Sequence, residues 1–462
     1  MSMNMKPKLE DTLLATDAIA APYPPRSAAW YATVVFAFLY WLSILDRFII
    51  SLLVDPIKRD LGISDLQFGL LHGTAFMVAF AIFGLMAGSL ADRFNRRWII
   101  FGCVTIWSLA SAACGMVHNF WQLLIARLGV GAGEAGLNPA ATSMIADLFP
   151  RERLTTAMAV FAMGSTIGSG CAYLLGGKIV DWVATMQSIA IPIVGEVHAW
   201  QAVFYIVGIP GAFLSLLIFT VPEPVRRGVR AAQMSTSFWQ NALSAYANLL
   251  AFIRSRGRFF FFHYAGFGIA MVVVVGAGTW YPAHMARTFG WGAGKIGWVL
   301  GLTLAIPGIL GNLMSGYCVD ALYRRGYRDA QLRWYAGCLL VAIPIGIFAL
   351  TSTNPWFFIG ALSLFIALTS ALPTCAGAAL NIVTPNELRG SGYAFFGLVT
   401  GILGAGLGPV FIAAVSDYFF AGGASIGKAI AALISICFPL SAALLLLGLR
   451  SMREAVTNGE KI

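Results

Sequence analysis

The sequence predicts an all-α membrane protein with twelve transmembrane helices in two six-helix pseudo-repeats. Three observations carry that prediction. The 462 residues are 59% hydrophobic and only 11% charged, with a mean hydropathy of +0.79, a composition outside the range of ordinary soluble domains. The apolar residues gather into twelve stretches, each long enough to cross hydrocarbon at about 20 residues. The second half of the chain also repeats the polar landmarks of the first.

The spans fall near 30–53, 67–91, 98–117, 120–146, 154–178, 200–221, 259–283, 293–318, 332–351, 356–381, 390–416 and 425–449. They divide the chain into a cytoplasmic N-terminal segment (1–29), a first bundle (30–221), a linker (222–258), a second bundle (259–450) and a cytoplasmic tail (451–462). The N-terminal segment is polar and carries Pro22, Pro24 and Pro25. The apolar run behind it is too long for a secretory signal and lacks a small-residue cleavage site, so it reads as a retained first helix.

Orientation follows from the basic residues, because retained positive charge marks cytoplasmic loops. Of the thirty Lys and Arg residues, only Lys58, Arg59, Lys178, Arg287, Lys295 and Lys428 fall opposite the termini, and only Arg47 and Arg127 fall inside spans. Both termini are expected in the cytoplasm of a multi-pass cell-membrane protein, in the inner membrane if the source is bacterial. The net charge of +10 is then topology and calls for no nucleic-acid partner. Seven cysteines (Cys103, Cys114, Cys171, Cys318, Cys338, Cys375 and Cys437) lie within spans and lack metal-ligand spacing, so neither a disulfide framework nor a metal site is expected. Gly131, Gly133 and Gly136 match a dinucleotide fingerprint, but mid-span and with no preceding strand. Close helix packing is the better reading, there and at Gly164 with Gly168, Gly297 with Gly301 and Gly404 with Gly408. Pro139, Pro210, Pro307, Pro344, Pro373 and Pro439 are expected to kink their spans.

The repeat is visible in Gly88, Asp92, Arg96 and Arg97, which are answered at an offset of 228 by Gly316, Asp320, Arg324 and Arg325. Pro150, Glu152, Gly168, Gly170 and Asp181 are answered at 235 or 236 by Pro385, Glu387, Gly404, Gly406 and Asp417. Duplicated halves of this kind build a midplane site between two bundles. In the linker, Trp239, Leu243, Tyr246, Leu250 and Ile253 keep helical spacing, predicting an amphipathic helix. Its Arg254, Arg256 and Arg258 can meet anionic headgroups or tie the helix to the bundles.

Chemistry concentrates in the first half. Asp46 and Arg47 lie inside the first span, Arg127 and Glu134 inside the fourth, and the second half has no equivalents. Each charge costs at least about 2.5–3.5 kcal/mol at the membrane centre, so four of them require partners, an aqueous cavity or both. Arg127 and Glu134 are nearly two helical turns apart and share a face. Asp46 and Arg47 point about 100° apart; Asp46 is expected to face the cavity and Arg47 to brace the first helix against the fourth. A carboxylate whose burial and partners change between conformations can load and release a proton, which assigns coupling to Glu134 and Asp46. Arg127 and Arg47 are the candidates for an anionic head group. His72, Asn138, Trp280, Tyr281 and Phe365 are candidate cavity-lining residues, with Val272 to Val275 beside a tail; His72 and His263 can relay protons. A closed network of two acids and two bases that only fixes helix register is the bland alternative.

The run with Gly88, Asp92, Arg93, Arg96 and Arg97, with its partial repeat after the eighth span, resembles the loop signature of the major facilitator superfamily. An Asp at such a helix end can take bonds from a neighbouring helix end or from basic loop residues, making Asp92, Arg93, Arg96, Arg97 and Asp147 a candidate cytoplasmic gate. Leu45 to Phe48, Gly69 to Leu71, Gly131 to Ala135 and Ala146 to Phe149 resemble the spinster branch of that superfamily. That resemblance implies lipid transport, linked to sphingosine-1-phosphate and lysophospholipids, with proton dependence in prokaryotic members. Antiporters of the superfamily often carry a Gly-Pro-rich fifth helix. Here Gly164 to Gly177 lacks the proline, which leaves the coupling direction open.

The combined expectation is a monomeric, proton-coupled secondary active transporter of an amphiphilic, anionic lipid, working by alternating access, without a cofactor and not an enzyme. A proton-coupled transporter of a soluble organic anion or drug is the nearer alternative. A non-transporting membrane receptor is the one from another class.

Overall fold

The computed structural model describes residues 22–186, 189–191, 195–226, 247, 249–420 and 425–459. Its spans, in chain order, are α1 (Arg26–Leu61), α2 (Asp65–Gly88), α3 (Arg96–Cys114), α4 (Phe120–Glu134 continued by Leu137–Leu148), α5 (Thr156–Ala184), α6 (Ala199–Thr220), α7 (Gly257–Phe289), α8 (Ala293–Arg324), α9 (Ala330–Thr351), α10 (Pro355–Val383), α11 (Phe395–Phe419) and α12 (Ile426–Thr457). Eleven are long and apolar enough to cross a membrane. The remaining one, α4, is divided by a turn at Ala135 and Gly136. A short antiparallel hairpin, β1 (Ile189–Ile191) with β2 (Gly195–Val197), lies between α5 and α6.

The duplication extends to backbone detail. α1 closes at Gly62 and α7 at Gly290, each with a left-handed glycine (φ of 62° and 66°), and the next helix starts directly afterwards. α10 pauses after Thr369 and resumes at Leu372, just as α4 pauses after Glu134 and resumes at Leu137. The paired positions are 228 residues apart in the first case and 235 in the second.

Close packing uses the small residues the sequence singles out. Gly164 lies on the α1 backbone, where an added Cβ would meet the Ala37 carbonyl at 2.3 Å. Gly297 faces the Tyr173 carbonyl of α5, and Gly408 the Val272 carbonyl of α7. Pro210, Pro307, Pro344 and Pro439 lie inside helices.

The two halves meet through α5 against α8 and α2 against α11. The α2–α11 contact is made by facing π-helical turns, Leu70–Ala75 and Ile402–Leu407, where Thr74 Oγ1 donates to the Gly406 carbonyl at 2.9 Å. The end of the molecule carrying Gly62 and Gly290 is here called the outer end, and that carrying Arg96 and Arg324 the basic end. At the outer end Arg287 bridges to Asp55 at 2.7 Å and Asp65 at 2.8 Å, Leu66 N donates to Asp417 at 3.1 Å, and Trp280 Nε1 donates to the Pro409 carbonyl at 3.0 Å. The Tyr173 hydroxyl of α5 also donates to the Gly278 carbonyl of α7 at 3.1 Å. The described polar contacts between halves therefore gather away from the basic end.

In the linker, Trp239, Leu243 and Tyr246 lie outside the described residues, and with them most of the expected amphipathic helix. Arg256 donates to the carbonyls of Val383 and Ala455 at 3.0 Å each, which ties it to the second bundle rather than to headgroups.

Gly133 tests the packing directly, because a Cβ there would stand 2.5 Å from the Trp107 backbone nitrogen of α3. Gly133→Leu is expected to lower the thermal unfolding midpoint in detergent by several degrees, through about 1–3 kcal/mol of overpacking. Gly360→Leu, at a site with nothing within 4 Å of an added Cβ, should leave the midpoint unchanged.

Candidate functional site

The turn that divides α4 sits directly after Glu134, so this residue ends a helix segment in the middle of the first bundle. Gly131 and Gly133 let the segment approach its neighbours closely: a Cβ at Gly131 would meet the Phe76 carbonyl of α2 at 2.3 Å. Glu134 is buried, and its Oε2 accepts from Arg47 Nη2 at 2.5 Å, Arg47 Nε at 3.2 Å and Ser43 Oγ at 2.8 Å. Arg47 and Ser43 are one turn apart on α1, so this single oxygen joins α1 to α4. The expected brace by Arg47 is observed.

Asp46 corrects the expectation. It does not face the cavity; it is 2% exposed and accepts from Ser111 Oγ of α3, inside the bundle. The adjacent Arg47 is the open one, with its side chain 28% exposed. The 100° step between neighbours is as expected, but the open face belongs to the guanidinium, since the shorter carboxylate reaches the α3 hydroxyl.

Arg127 is fully buried, and none of its three guanidinium nitrogens hydrogen-bonds with a described residue. Asp46 Oδ2 and Glu134 Oε1 are likewise buried without such a bond. Arg127, Arg47 and Glu134 all lie within electrostatic range of Asp46, so the four groups form one cluster. Between the two arginines stands the Phe76 ring, 4.6 Å from the Arg47 guanidinium carbon and 5.6 Å from that of Arg127. Guanidinium over an aromatic face is attractive by about 0.5–2 kcal/mol, more when desolvated. His72 is half-buried in the π-helical turn of α2, stacked near Phe68 and within range of both arginines. Ser43, Ser111 and Phe76 escaped the sequence reading. Ser43 was accessible in principle, four residues before Arg47 and on the same helix face.

The candidate lining residues of the second half do not line an open cavity. Trp280, at 0% exposure, is packed edge-on to Phe68 at the contact between halves. Tyr281 is buried, and Phe365 stacks on Phe438 within the second bundle. Large rings fill the closed contact because aromatic area is what a sealed helix junction needs. Asn138 is half-buried in the resumed part of α4, with no described hydrogen bond donated to its Oδ1. His263 is buried among Phe259, Phe267 and Phe396, with its Nε2 at 2.9 Å from the Ala376 carbonyl, far along α7 from the cluster.

At the basic end stand Arg96, Arg97 and Asp147 of the expected gate. The buried Arg96 bonds Asp147 and, at 3.1 Å, Ser143 of α4; its Nε reaches Glu223 at 2.7 Å and its Nη2 the Pro224 carbonyl at 2.9 Å. Arg97 N donates to Glu223 at 3.2 Å. These partners all belong to the first half or to the chain leaving it, because the short connection from α2 sets Arg96 beside the ends of α4 and α6. The arrangement braces one bundle rather than joining two. The side chains of Asp92 and Arg93 lie outside the described residues.

Residues 36–409 match the sequence profile of the Major Facilitator Superfamily. The chain belongs to that superfamily. An MFS-type efflux pump of Mycolicibacterium smegmatis is 30% identical over 434 residues, covering 91% of this chain and 94% of the pump. Protein spinster homolog 1 of Bos taurus is 27% identical over 403 residues, 83% of this chain and 72% of that protein. With the Rattus norvegicus counterpart the match, 28% identical over 269 residues, takes in 57% of this chain and about half (47%) of that protein's length. A crystal structure of a bacterial homolog to the human lysosomal transporter Spinster, inward-facing and unoccupied, has the same fold, with a TM-score of 0.76 at 22% identity over 94% of this chain and 98% of that one. The protein is a spinster-like, multi-pass secondary transporter of the superfamily and not an enzyme.

Arg96→Ala in this transporter removes a buried guanidinium that bonds Asp147, Ser143, Glu223 and the Pro224 carbonyl. It is expected to cost about 3–5 kcal/mol of stability, read as a fall in the thermal midpoint. Arg450→Ala, which removes an exposed pair with Glu454, should leave the midpoint in place.

Proposed function

We propose that this transporter couples protons to the movement of an amphiphilic, anionic lipid of the lysophospholipid or sphingosine-1-phosphate type, with Glu134 as the coupling carboxylate. The observation that carries the proposal is the shared use of Arg47. Its guanidinium is partly open, yet it is held by one oxygen of a buried carboxylate. A proton on Glu134 removes the charge that holds Arg47 and frees the guanidinium for an anionic head group. Proton and anion then bind with positive coupling, each favouring the other. Arg127, buried behind Phe76, keeps the local potential positive when Arg47 turns away, and Asp46 limits that potential. His72, beside both arginines, completes the polar side of the site.

An amphiphile is supported by the exposed end of the α5 face that packs on α8. Gly170, Tyr173 and Gly177 of α5 pack on Ala293, Gly297 and Gly301 of α8. Thr156, Ala159 and Met163 continue that α5 stripe toward the basic end and are exposed, while α8 leans to α10, where Thr374 Oγ1 donates to Asn312 Oδ1 at 2.9 Å. An exposed face of this kind beside the contact between halves suits a tail that remains in lipid while the head group enters. Similarity to a spinster protein across 83% of the chain supports the lipid class. Export of a soluble drug or organic anion is the second reading, favoured by the full-length similarity to an efflux pump.

Purified protein in liposomes, offered labelled lysolipids, organic anions and cationic drugs with and without a proton gradient, separates these readings. Gradient-stimulated movement of lysolipid alone supports the first, and of drug or organic anion alone the second. Glu134→Gln fills the same space without exchanging a proton, so gradient-driven transport should lose its pH dependence while substrate counterflow survives. Full gradient-driven transport by this variant would transfer the role to another group. Arg47→Lys keeps the charge but loses the two-pronged donor, and head-group binding should weaken roughly tenfold. Arg127→Lys, behind Phe76, should weaken it less. Unchanged binding of every anionic lipid in both variants would place the head group elsewhere.

A further inference from the structure

The repeat-related acids Asp181 and Asp417 stand at the outer ends of α5 and α11, 236 residues apart. Each lies against the start of a helix in the other half. Asp417 accepts from the backbone N–H of Leu66, in the first turn of α2 behind its N-cap Ser64. Asp181 lies over the first turn of α8 behind its N-cap Gly292, so close that a Cβ on Gly294 would come within 2.1 Å of its Oδ2. Leu66 and Gly294 are themselves 228 residues apart, and each is the second residue of its helix. One device is thus built twice by the same pseudo-twofold relation: a carboxylate from one half set on the positive end of a helix in the other.

We infer that Asp181 and Asp417 are paired outer latches, which hold the outer end closed and must both release before it opens. The free N–H groups and dipole of a helix N-terminus favour a carboxylate by an amount that decays within one turn. A small separation of the halves therefore disengages either latch completely. The latches also mirror the acids at the other end of the same helix pairs. α2 ends near Asp92 and α8 near Asp320. In each pair, α2 with α11 and α5 with α8, one helix carries an acid at the basic end and its partner one at the outer end. The fold therefore has a cap available for either closed end. Arg287, which joins Asp55 and Asp65 across the halves, reinforces the outer closure, but its repeat counterpart Arg59 bonds the Asp55 carbonyl of its own helix instead. This inference rests on alternating access in the superfamily and is independent of the lipid reading.

Hydrogen exchange on the full-length transporter in nanodiscs tests it without cysteine engineering. Asp417→Asn is expected to raise exchange about threefold in residues 64–69, and Asp181→Asn likewise in residues 292–297. The double variant should raise both about tenfold, since the two sites share no partner and add. Exchange in residues 151–155 and 386–390, which lead into α5 and α11 at the basic end, should fall as that end closes. This opposite movement is the signature of a gate. Gly294→Ala, which keeps every charge and places a methyl where Asp181 Oδ2 lies, should reproduce the Asp181→Asn effect and keeps the test open if an Asp variant does not fold. Unchanged exchange at both outer helix starts, or a rise of equal size at both ends of the molecule, would overturn the latch.

Discussion

Everything around the candidate site depends on one constraint: a carboxylate in the middle of a membrane bundle must be paid for locally, because no bulk water reaches it to solvate the charge. Glu134 meets that constraint through Arg47 and Ser43, three donated bonds converging on a single oxygen. The bonds are possible only because α4 comes close to its neighbours. Gly131 lets α4 touch the backbone of α2, Gly133 that of α3, and the turn at Ala135 and Gly136 ends the segment at the acid itself. Discontinuous helices at membrane depth are tolerated where they are buried in protein or line a cavity. The break, the glycines and the ion pair therefore form one structural unit, and a change in the charge of Glu134 acts on three helices at once.

The second half shows what the same scaffold does without that charge. α10 keeps the break, but Thr369 stands where Glu134 would be, and Leu362 where Arg127 would be. Thr369 satisfies its own hydroxyl on the Phe365 carbonyl of the preceding turn, and Leu362 is simply core. Val274 and Val275 occupy the places of Asp46 and Arg47. Duplication has preserved the backbone geometry while the chemistry resides in one copy. The site is therefore charged on the side of the first half and apolar on the side of the second.

Spans, the repeat and the location of the charged cluster were legible in the sequence because each rests on composition and period, which tertiary contacts do not alter. Burial direction was not. Asp46 and Arg47 are adjacent, and the choice between them turned on Ser111 of α3, a residue distant in sequence and ordinary in type. Trp280 was misread for a related reason: an aromatic residue at helical spacing looks the same whether it faces substrate, lipid or a closed junction. Arg96 and Asp147 carried a genuine signal, but the signal could not tell a bond within a half from a bond between halves. The landmark repeat did contain Asp181 and Asp417. Only their positions against the starts of α8 and α2 gave them a role.

The inferred latches have a consequence for closure, through the opposite placement of acids within each helix pair. A capping contact is short-ranged, so it rewards full closure at one end and contributes almost nothing at half closure. Two such contacts at the outer end, set against the acids Asp92 and Asp320 at the basic end, favour the extremes over the middle. Rigid glycine-packed crossings between α5 and α8 supply the pivot, since their backbones touch and resist shear. A substrate can shift such an equilibrium only by the difference in its affinity for the two closures.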